Sequence, residues 1–182
     1  MQVVRLNGAR YKSYDILYML LRRMQIEKLL PREIRALDAT YGRGRWWRKA
    51  KRMLNVAVLG VDIRKHKWEV PPDRFYLGDA QDPKLLVRLG KEWQAVVLLV
   101  DPPWNHEKRG MLSAGTGISG MPYHVRVPSA RIVGAALAAA RELGVPLVYR
   151  YKRPIEGTSI LFEARVSMFG NNGTVYYGVV GG

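Results

Sequence analysis

The chain alternates between short apolar runs and amphipathic stretches, an order that is typical of an α/β fold. Continuous apolar or β-branched runs predict buried strands at residues 34–40, 56–63, 74–77, 95–100 and 145–151. Apolar residues at helical spacing predict helices at 14–30, 46–54, 83–90 and 130–143. Two alternating segments, 160–169 and 174–180, flank Gly-Asn-Asn-Gly and predict a C-terminal β-hairpin. This alternation predicts a mainly parallel sheet with helices on both faces.

The length of 182 residues is that of one domain. We expect a single domain over residues 1–182, with an N-terminal helical segment at 1–33 and a substrate loop at 105–128. Loops this long in a compact domain are usually functional or disordered, which favours a lid over a binding site. No apolar run approaches the roughly 18 residues of a membrane span, and the N-terminus lacks the apolar core of a signal peptide. We therefore expect a cytoplasmic protein with no membrane partner.

The charge of the chain indicates a polyanionic partner. Thirty Lys and Arg residues face fifteen Asp and Glu residues, which gives a net charge of +15 and an isoelectric point near 10.3. Residues 1–52 carry 14 of the basic and only 4 of the acidic side chains. Nucleic acid is favoured over an anionic membrane surface. Cysteine is absent, which excludes thiolate nucleophiles, disulfides and cysteine-ligated zinc.

Acidic residues follow four successive predicted strands. They are Asp38, Asp62, Asp79 and Asp101. Because parallel strands bind ligands at their carboxyl ends, we expect these carboxylates to converge on one crevice. The first is followed by a turn in which Gly42 and Gly44 let the backbone approach a ligand. Trp47 stands where a dinucleotide-binding fingerprint needs its third glycine, so a nicotinamide enzyme is not indicated.

The ordered segments Asp38–Gly44, Gly60–Asp62, Gly78–Ala80 and Asp101–Trp104 resemble the motifs of class I S-adenosylmethionine-dependent methyltransferases. The resemblance implies a single-domain, Rossmann-like methyltransferase fold with a mainly parallel seven-stranded sheet, and S-adenosylmethionine as the cofactor. It places the methionine part of the cofactor at Asp38 and the glycine turn, the ribose at Asp62 and the adenine at Asp79. The implied cofactor residues are Asp38, Thr40, Gly42, Gly44, Asp62, Ile63, Asp79, Ala80 and Asp101.

Asp101-Pro102-Pro103-Trp104 also resembles the (Asp/Asn)-Pro-Pro-aromatic motif of methyltransferases that modify exocyclic amino nitrogens. Such an amine on a base is a poor nucleophile, because its lone pair is delocalised into the ring. A carboxylate from Asp101 and the carbonyl of Pro102 would accept its two N–H groups and favour a more reactive nitrogen. The indole of Trp104 offers a face on which an unpaired base stacks. The resemblance implies that the catalytic residues are Asp101, Pro102, Pro103 and Trp104.

Basic and polar side chains on both sides of this motif predict contacts with the substrate. Arg43 and Arg45 lie in a basic segment, 41–52, whose Trp46 and Trp47 we expect in the core. In the substrate loop, Lys108 and Arg109 are expected to contact phosphates. The predicted substrate residues are Trp104, Asn105, Lys108, Arg109, Arg43 and Arg45.

We therefore expect methyl transfer to an exocyclic amino nitrogen of a nucleic-acid base, with adenine N6 favoured and RNA slightly favoured over DNA. Several alternatives stay open: cytosine N4 or guanine N2 as the acceptor, DNA as the substrate, an acceptor on protein glutamine or a small-molecule amine, and a non-catalytic nucleic-acid-binding partner with a methyltransferase-like fold. A protein partner or a homo-oligomer is a further expectation, since such an assembly would supply target recognition.

Overall fold

The computed structural model describes residues 2–8, 10–102, 129–155, 158–167 and 174–181. Within these residues the strands are β1 (Gln2–Asn7), β2 (Glu33–Asp38), β3 (Asn55–Asp62), β4 (Arg74–Leu77), β5 (Val97–Val100), β6 (Leu147–Tyr151), β7 (Ile160–Ser167) and β8 (Thr174–Val180). The helices are α1 (Ser13–Ile26), α2 (Ala50–Met53), α3 (Pro83–Trp93) and α4 (Ser129–Leu143), and a 3₁₀ turn covers Arg45–Trp47.

The strands form one mixed sheet in the order β1-β7-β8-β6-β5-β2-β3-β4. The pairings of β8 with β6 and with β7 are antiparallel, and the other five pairings are parallel. The predicted antiparallel pairing of the last two strands is confirmed, although their turn at 170–173 lies outside the described residues. The expectation of seven strands is wrong, because the described residues form eight. The additional strand is β1, which pairs with β7 at the sheet edge, in a segment expected to be helical.

Helices cover both faces of the sheet, as the alternation of strands and helices predicts. On one face, α1 and α2 pack with Trp47 against the sheet, and Ile16, Leu21 and Met24 of α1 are fully buried there. On the other face, α3 and α4 pack together, and Ala136 and Ala139 of α4 let the helix approach the strands closely. Among the described helices, none is long and apolar enough to span a membrane.

Two of the predicted helices differ from the observed ones. The helix predicted at 14–30 ends at Ile26, because Lys28 adopts a left-handed conformation with φ of 59°. The helix predicted at 46–54 is replaced by the 3₁₀ turn and the short α2. In this turn Trp46 and Trp47 are both buried, which confirms that they belong to the core.

The register of the strands aligns the residues that follow β2, β3 and β5. Asp38 of β2 lies beside Leu99 of β5, and Val100 of β5 lies beside Tyr149 of β6. One or two positions further along, the same register reaches the carboxyl edge of the sheet. There, five residues lie in one row across neighbouring strands: Asp62, Thr40, Asp101, Arg150 and Tyr177.

Candidate active site

The turn after β2 holds two glycines in the left-handed region, for different reasons. Gly42 has φ of 54° and Gly44 has φ of 75°. A Cβ on Gly44 would collide with the carbonyl oxygen of Val70 and the ring of Tyr41, so packing demands glycine at this position. A Cβ on Gly42 would meet only the carbonyl oxygen of Thr40, at 4.0 Å, which is an ordinary van der Waals contact. The open side of the turn is therefore at Gly42, where a ligand can approach the backbone.

Asp38 is the buried anchor of this turn, with 1% of its surface exposed. One carboxylate oxygen accepts the backbone N–H of Thr40 at 3.0 Å, and the other accepts the indole N–H of Trp47 at 2.6 Å. Burial raises the pKa of Asp38 to about 7 against the lowering effect of these two hydrogen bonds, and the charges of Asp101 and Asp62 raise the pKa further. The backbone N–H of Gly42 donates to Asp62, and the backbone N–H of Asp101 donates to the hydroxyl of Thr40, so the three strand-end aspartates converge on this turn.

The raised pKa of Asp38 predicts a pH-dependent contribution to stability. A carboxyl whose folded-state pKa lies above its usual 3.8 stabilises the fold most when protonated, so the contribution is complete below pH 3.8 and is lost as the pH rises towards 7. Asp38→Asn lacks this titration. The difference in free energy of unfolding between wild type and Asp38→Asn, measured by urea unfolding, should therefore fall by about 2 kcal/mol from pH 5 to pH 8. A difference that stays constant over this range would contradict the buried, titrating carboxyl.

Asp62 ends β3 and closes the glycine turn from the other side. Its carboxylate accepts the backbone N–H of Gly42 at 2.9 Å and that of Arg64 at 3.3 Å. His66 Nε2 lies 3.4 Å from the nearer carboxylate oxygen, and this nitrogen is buried without a hydrogen-bond partner among the described residues. A buried polar atom with no partner is unusual in a folded protein, and here it lies beside the carboxylate expected to bind ribose hydroxyls.

Asp101 follows β5 and is held at both its backbone and its side chain. Its backbone N–H donates to the hydroxyl of Thr40 at 2.7 Å. Arg150 Nη1 donates to both carboxylate oxygens, at 3.2 and 3.0 Å, and Arg150 Nε donates to the hydroxyl of Tyr177 at 2.9 Å. Burial raises the pKa of Asp101, and the charge and hydrogen bonds of Arg150 oppose that rise. Hydrogen bonds therefore connect the glycine turn, through Thr40, to the backbone of Asp101, the predicted catalytic residue.

Asp79, the fourth predicted carboxylate, lies after the edge strand β4 and is exposed. Its carboxylate accepts the backbone and side-chain N–H groups of Gln81, at 2.9 and 3.2 Å, while Ala80 is buried. Ile63 follows β3 and is 37% exposed. Their roles towards a cofactor stay predictions.

Part of the predicted site cannot be placed. Pro102 is buried directly after Asp101. The other predicted residues of this motif and of the substrate loop lie outside the described residues: Pro103, Trp104, Asn105, Lys108 and Arg109, with the loop 105–128.

Arg43 and Arg45, two of the predicted substrate residues, converge with Arg48 on Glu69. The guanidinium groups lie 2.9, 2.6 and 3.2 Å from its carboxylate oxygens, respectively. The hydrogen bond from Arg45 and the charges of all three arginines lower the pKa of Glu69. Three positive groups around one negative group leave two positive charges in excess. We call these four residues the arginine cluster; it lies on the surface beside the glycine turn.

The sequence matches no protein-family model and no curated protein. A SAM-dependent methyltransferase from Anabaena variabilis has a TM-score of 0.55 at 12% identity, over 90% of this chain and 83% of that protein. The 1,6-didemethyltoxoflavin-N1-methyltransferase from Burkholderia thailandensis, with bound 1,6-didemethyltoxoflavin and S-adenosylhomocysteine, has a TM-score of 0.54 at 12% identity, over 95% and 79%. Magnesium protoporphyrin IX methyltransferase from Synechocystis, with bound SAM, has a TM-score of 0.50 at 10% identity, over 93% and 79%.

The chain has the class I methyltransferase fold. The likeness covers nine-tenths of the chain or more in all three comparisons, so it includes both halves of the sheet. At 10–12% identity, this likeness shows the fold and does not identify the methyl acceptor. The Rossmann-like methyltransferase fold that the sequence motifs imply is thereby confirmed, whereas the described residues form a mixed sheet of eight strands in place of a mainly parallel sheet of seven.

Several residues of the methyltransferase fold that shape the site are absent from the predicted set. Arg150 could have been found from one signal, a charged residue within the otherwise apolar strand 147–151, next to the strand that ends at Asp101, whereas no such signal marks Tyr177 on β8. Glu69 and His66 lie in the irregular segment between β3 and β4, where neither periodicity nor spacing distinguishes them.

The two glycines of the turn provide a matched test of fold against ligand site. Gly44→Ala should destabilise the protein by about 2 kcal/mol or more, because a strained left-handed alanine would also collide with a backbone carbonyl. Gly42→Ala should cost only about 1 kcal/mol, since its Cβ comes no closer than 4.0 Å to the carbonyl oxygen of Thr40. Urea unfolding measures both values. The opposite order of destabilisation would contradict the geometry of the turn.

Proposed function

We propose that the protein transfers a methyl group from S-adenosylmethionine to an exocyclic amino nitrogen of a nucleic-acid base. Adenine N6 is the favoured acceptor, and RNA is slightly favoured over DNA. The observation that carries the proposal is the convergence of Asp38, Asp62 and Asp101 around the open side of Gly42, at the carboxyl edge of a class I methyltransferase sheet.

The residues of this edge fit the chemistry of the proposed cofactor. The carboxylates of Asp38 and Asp62 favour a cationic ligand, and S-adenosylmethionine carries a sulfonium and an ammonium group. The open face of Gly42 leaves room for a ligand against the backbone. The unpartnered Nε2 of His66, beside Asp62, offers a hydrogen-bonding atom next to the proposed ribose site.

Asp101 carries the chemistry towards the acceptor. Its carboxylate accepts an N–H of the amine and orients the nitrogen lone pair towards the methyl carbon. When bound, the cofactor supplies an electrophilic methyl group: the S–C bond breaks with its electron pair left on sulfur, and an N–C bond forms. The nitrogen then loses a proton, either to Asp101 or to water. Orientation and exclusion of water account for most of the rate enhancement in such a step.

The arginine cluster supports a nucleic-acid substrate. Its guanidinium groups are half-exposed, and Glu69 already holds them together, so less side-chain entropy is lost when they contact a phosphate. Arg43 lies between the two glycines of the turn, which places the cluster next to the proposed cofactor site. A flipped or unpaired base at Asp101 would then have its backbone within reach of a positively charged surface.

The proposal is tested by incubating the protein with methyl-tritiated S-adenosylmethionine and separate fractions of RNA, DNA and cellular protein. We expect radioactivity in a nucleic-acid fraction, with RNA ahead of DNA. Label confined to protein would favour the glutamine alternative and contradict the proposed acceptor. Calorimetry with S-adenosylmethionine provides the second readout, because a non-catalytic partner with this fold should bind little or none.

The same calorimetry tests the position of the cofactor. Gly42→Ala places a methyl group on the open side of the turn, so the affinity for S-adenosylmethionine should fall at least about tenfold while the fold is retained. Wild-type affinity in this variant would show that the cofactor does not approach the turn at Gly42.

A further inference from the structure

The predicted catalytic carboxylate is not free in the structure. Arg150 binds both of its oxygens through one nitrogen, at 3.2 and 3.0 Å, and the hydroxyl of Tyr177 accepts the Nε–H of Arg150 at 2.9 Å. Strand register fixes this arrangement, because Arg150 and Tyr177 are direct cross-strand partners in the antiparallel pair β6–β8. Tyr177 is buried in the core beneath α1, so its hydroxyl holds Arg150 from a fixed position.

The contact with Arg150 leaves Asp101 able to bind a substrate. An ionised carboxylate has about four lone-pair directions, two on each oxygen. Arg150 takes one on each oxygen, and within the part of the chain that the structure describes, one on each oxygen stays available for an N–H donor. Arg150 therefore does not block the site; it restricts the orientation of the carboxylate.

We propose that Arg150, held by Tyr177, positions Asp101 as a charge-compensated hydrogen-bond acceptor, and that this pair restricts the acceptor to an uncharged amine. The inference rests on the proposed function. An isolated carboxylate would attract a protonated aliphatic amine, whose pKa is about 10 and which has no lone pair to methylate until it loses a proton. The guanidinium next to Asp101 repels such a cation. The exocyclic amine of a nucleobase is uncharged at neutral pH and meets no such repulsion.

The charged groups around Asp101 give the proposal a measurable signature. Arg150 faces it from β6, Tyr177 lies behind Arg150 on β8, and Asp38 faces it from the end of β2. Burial raises the pKa of Asp101 and Arg150 opposes the rise. Removal of Arg150 should therefore raise the pKa of Asp101 further. Because the ionised form is needed, the loss of activity at acidic pH should begin at a higher pH.

Three variants separate positioning from a structural role. Tyr177→Phe removes only the hydroxyl, Arg150→Lys keeps the positive charge without the fork of donors, and Arg150→Gln removes the charge. We expect kcat to fall by roughly tenfold for Tyr177→Phe, about the effect of one hydrogen bond, with the KM for S-adenosylmethionine unchanged. Arg150→Gln should lose more, on the order of 100-fold, and Arg150→Lys should recover part of that loss. The acid limb of the pH profile should move to higher pH in Arg150→Gln.

The specificity part of the proposal is tested with acceptor pools. Wild type should transfer tritiated methyl groups to adenosine-containing RNA and not to spermidine or a polylysine peptide. Transfer to these cationic amines would overturn the specificity claim. An unchanged kcat and acid limb in both Tyr177→Phe and Arg150→Gln would overturn the positioning claim.

One measurement keeps the inference separate from the proposed function. The pKa of the Asp101 carboxyl can be followed by NMR in protein with ¹³C-labelled aspartate and no substrate, with Asp101→Asn used to assign the signal. A higher pKa in Arg150→Gln than in wild type supports the positioning of Asp101 even if no transfer is found, in which case only the proposed function fails. An equal pKa in the two proteins overturns the inference even if transfer is observed.

Discussion

Asp101→Asn is expected to lower the rate of methyl transfer by roughly 10²–10⁴-fold, the range that a positioned acid–base group contributes. The amide keeps the shape of the side chain but provides one acceptor oxygen in place of two, and its N–H₂ group opposes the N–H of the substrate amine. The affinity for S-adenosylmethionine, measured by calorimetry, should change little, because the glycine turn and the carboxylates of Asp38 and Asp62 stay in place.

This variant has a predictable side effect on stability. The guanidinium of Arg150 would lose the negative charge that it contacts, and breaking this partly buried pair should lower the stability of the fold. Asp101→Glu serves as a second variant, since it keeps the charge and displaces the carboxylate by one methylene group. It should remain stable and still lose most of the activity. Glu92→Gln, on the exposed side of α3, provides the control with wild-type activity. Full transfer by folded Asp101→Asn would show that the acceptor amine does not bind at this carboxylate.

Replacement of Arg43, Arg45 and Arg48 with alanine is expected to weaken binding of a single-stranded RNA oligonucleotide and to reduce its salt dependence. Each phosphate contact with single-stranded RNA contributes about 0.7 to the slope of log affinity against log salt concentration. The loss of three contacts should therefore lower the magnitude of this slope by about 2. Fluorescence anisotropy of a labelled RNA at several salt concentrations measures the slope directly.

A triple variant on α3 and α4 is the matched control for the arginine cluster. Arg88→Ala, Lys91→Ala and Arg141→Ala remove the same three charges from exposed positions that lie outside the cluster. Both triple variants carry a net charge of +12, which is +15 less three. A specific surface predicts a loss of slope in the cluster variant and little change in the control. An equal loss of slope in the two variants would show that RNA binding depends on net charge alone and not on the arginine cluster.

The sequence could predict the positions of the strand ends because β5 and the second half of β3 are buried on both faces. Val97–Val100 is a continuous apolar run that breaks at Asp101, and Asn55–Asp62 ends in the same way. Such short apolar runs are typical of strands in a covered sheet, and a carboxylate directly after each run then lies at the ligand-binding edge. The three carboxylates that converge in the structure are among the four predicted on this basis.

The contacts between strands could not be predicted, because they depend on register and on irregular segments. Arg150 contacts Asp101 only because β6 lies beside β5, and Tyr177 supports it only because β8 inserts between β6 and β7. Glu69 reaches three arginines from a segment with no regular pattern. The edge strand β1 is too short to be recognised from an alternating pattern of apolar and polar residues. Its partner β7 is more than 150 residues away along the chain.

The most direct test of the central claim is nucleoside mass spectrometry after incubation with S-adenosylmethionine that carries a deuterated methyl group. RNA and DNA are supplied separately, with wild-type protein and with Asp101→Asn. The account predicts a deuterated N6-methyladenosine signal in RNA with wild type, and its near absence with Asp101→Asn. A deuterated methyl group on a ring carbon, a ring nitrogen or a ribose hydroxyl, or equal labelling by both proteins, would contradict an amino-directed transfer at Asp101.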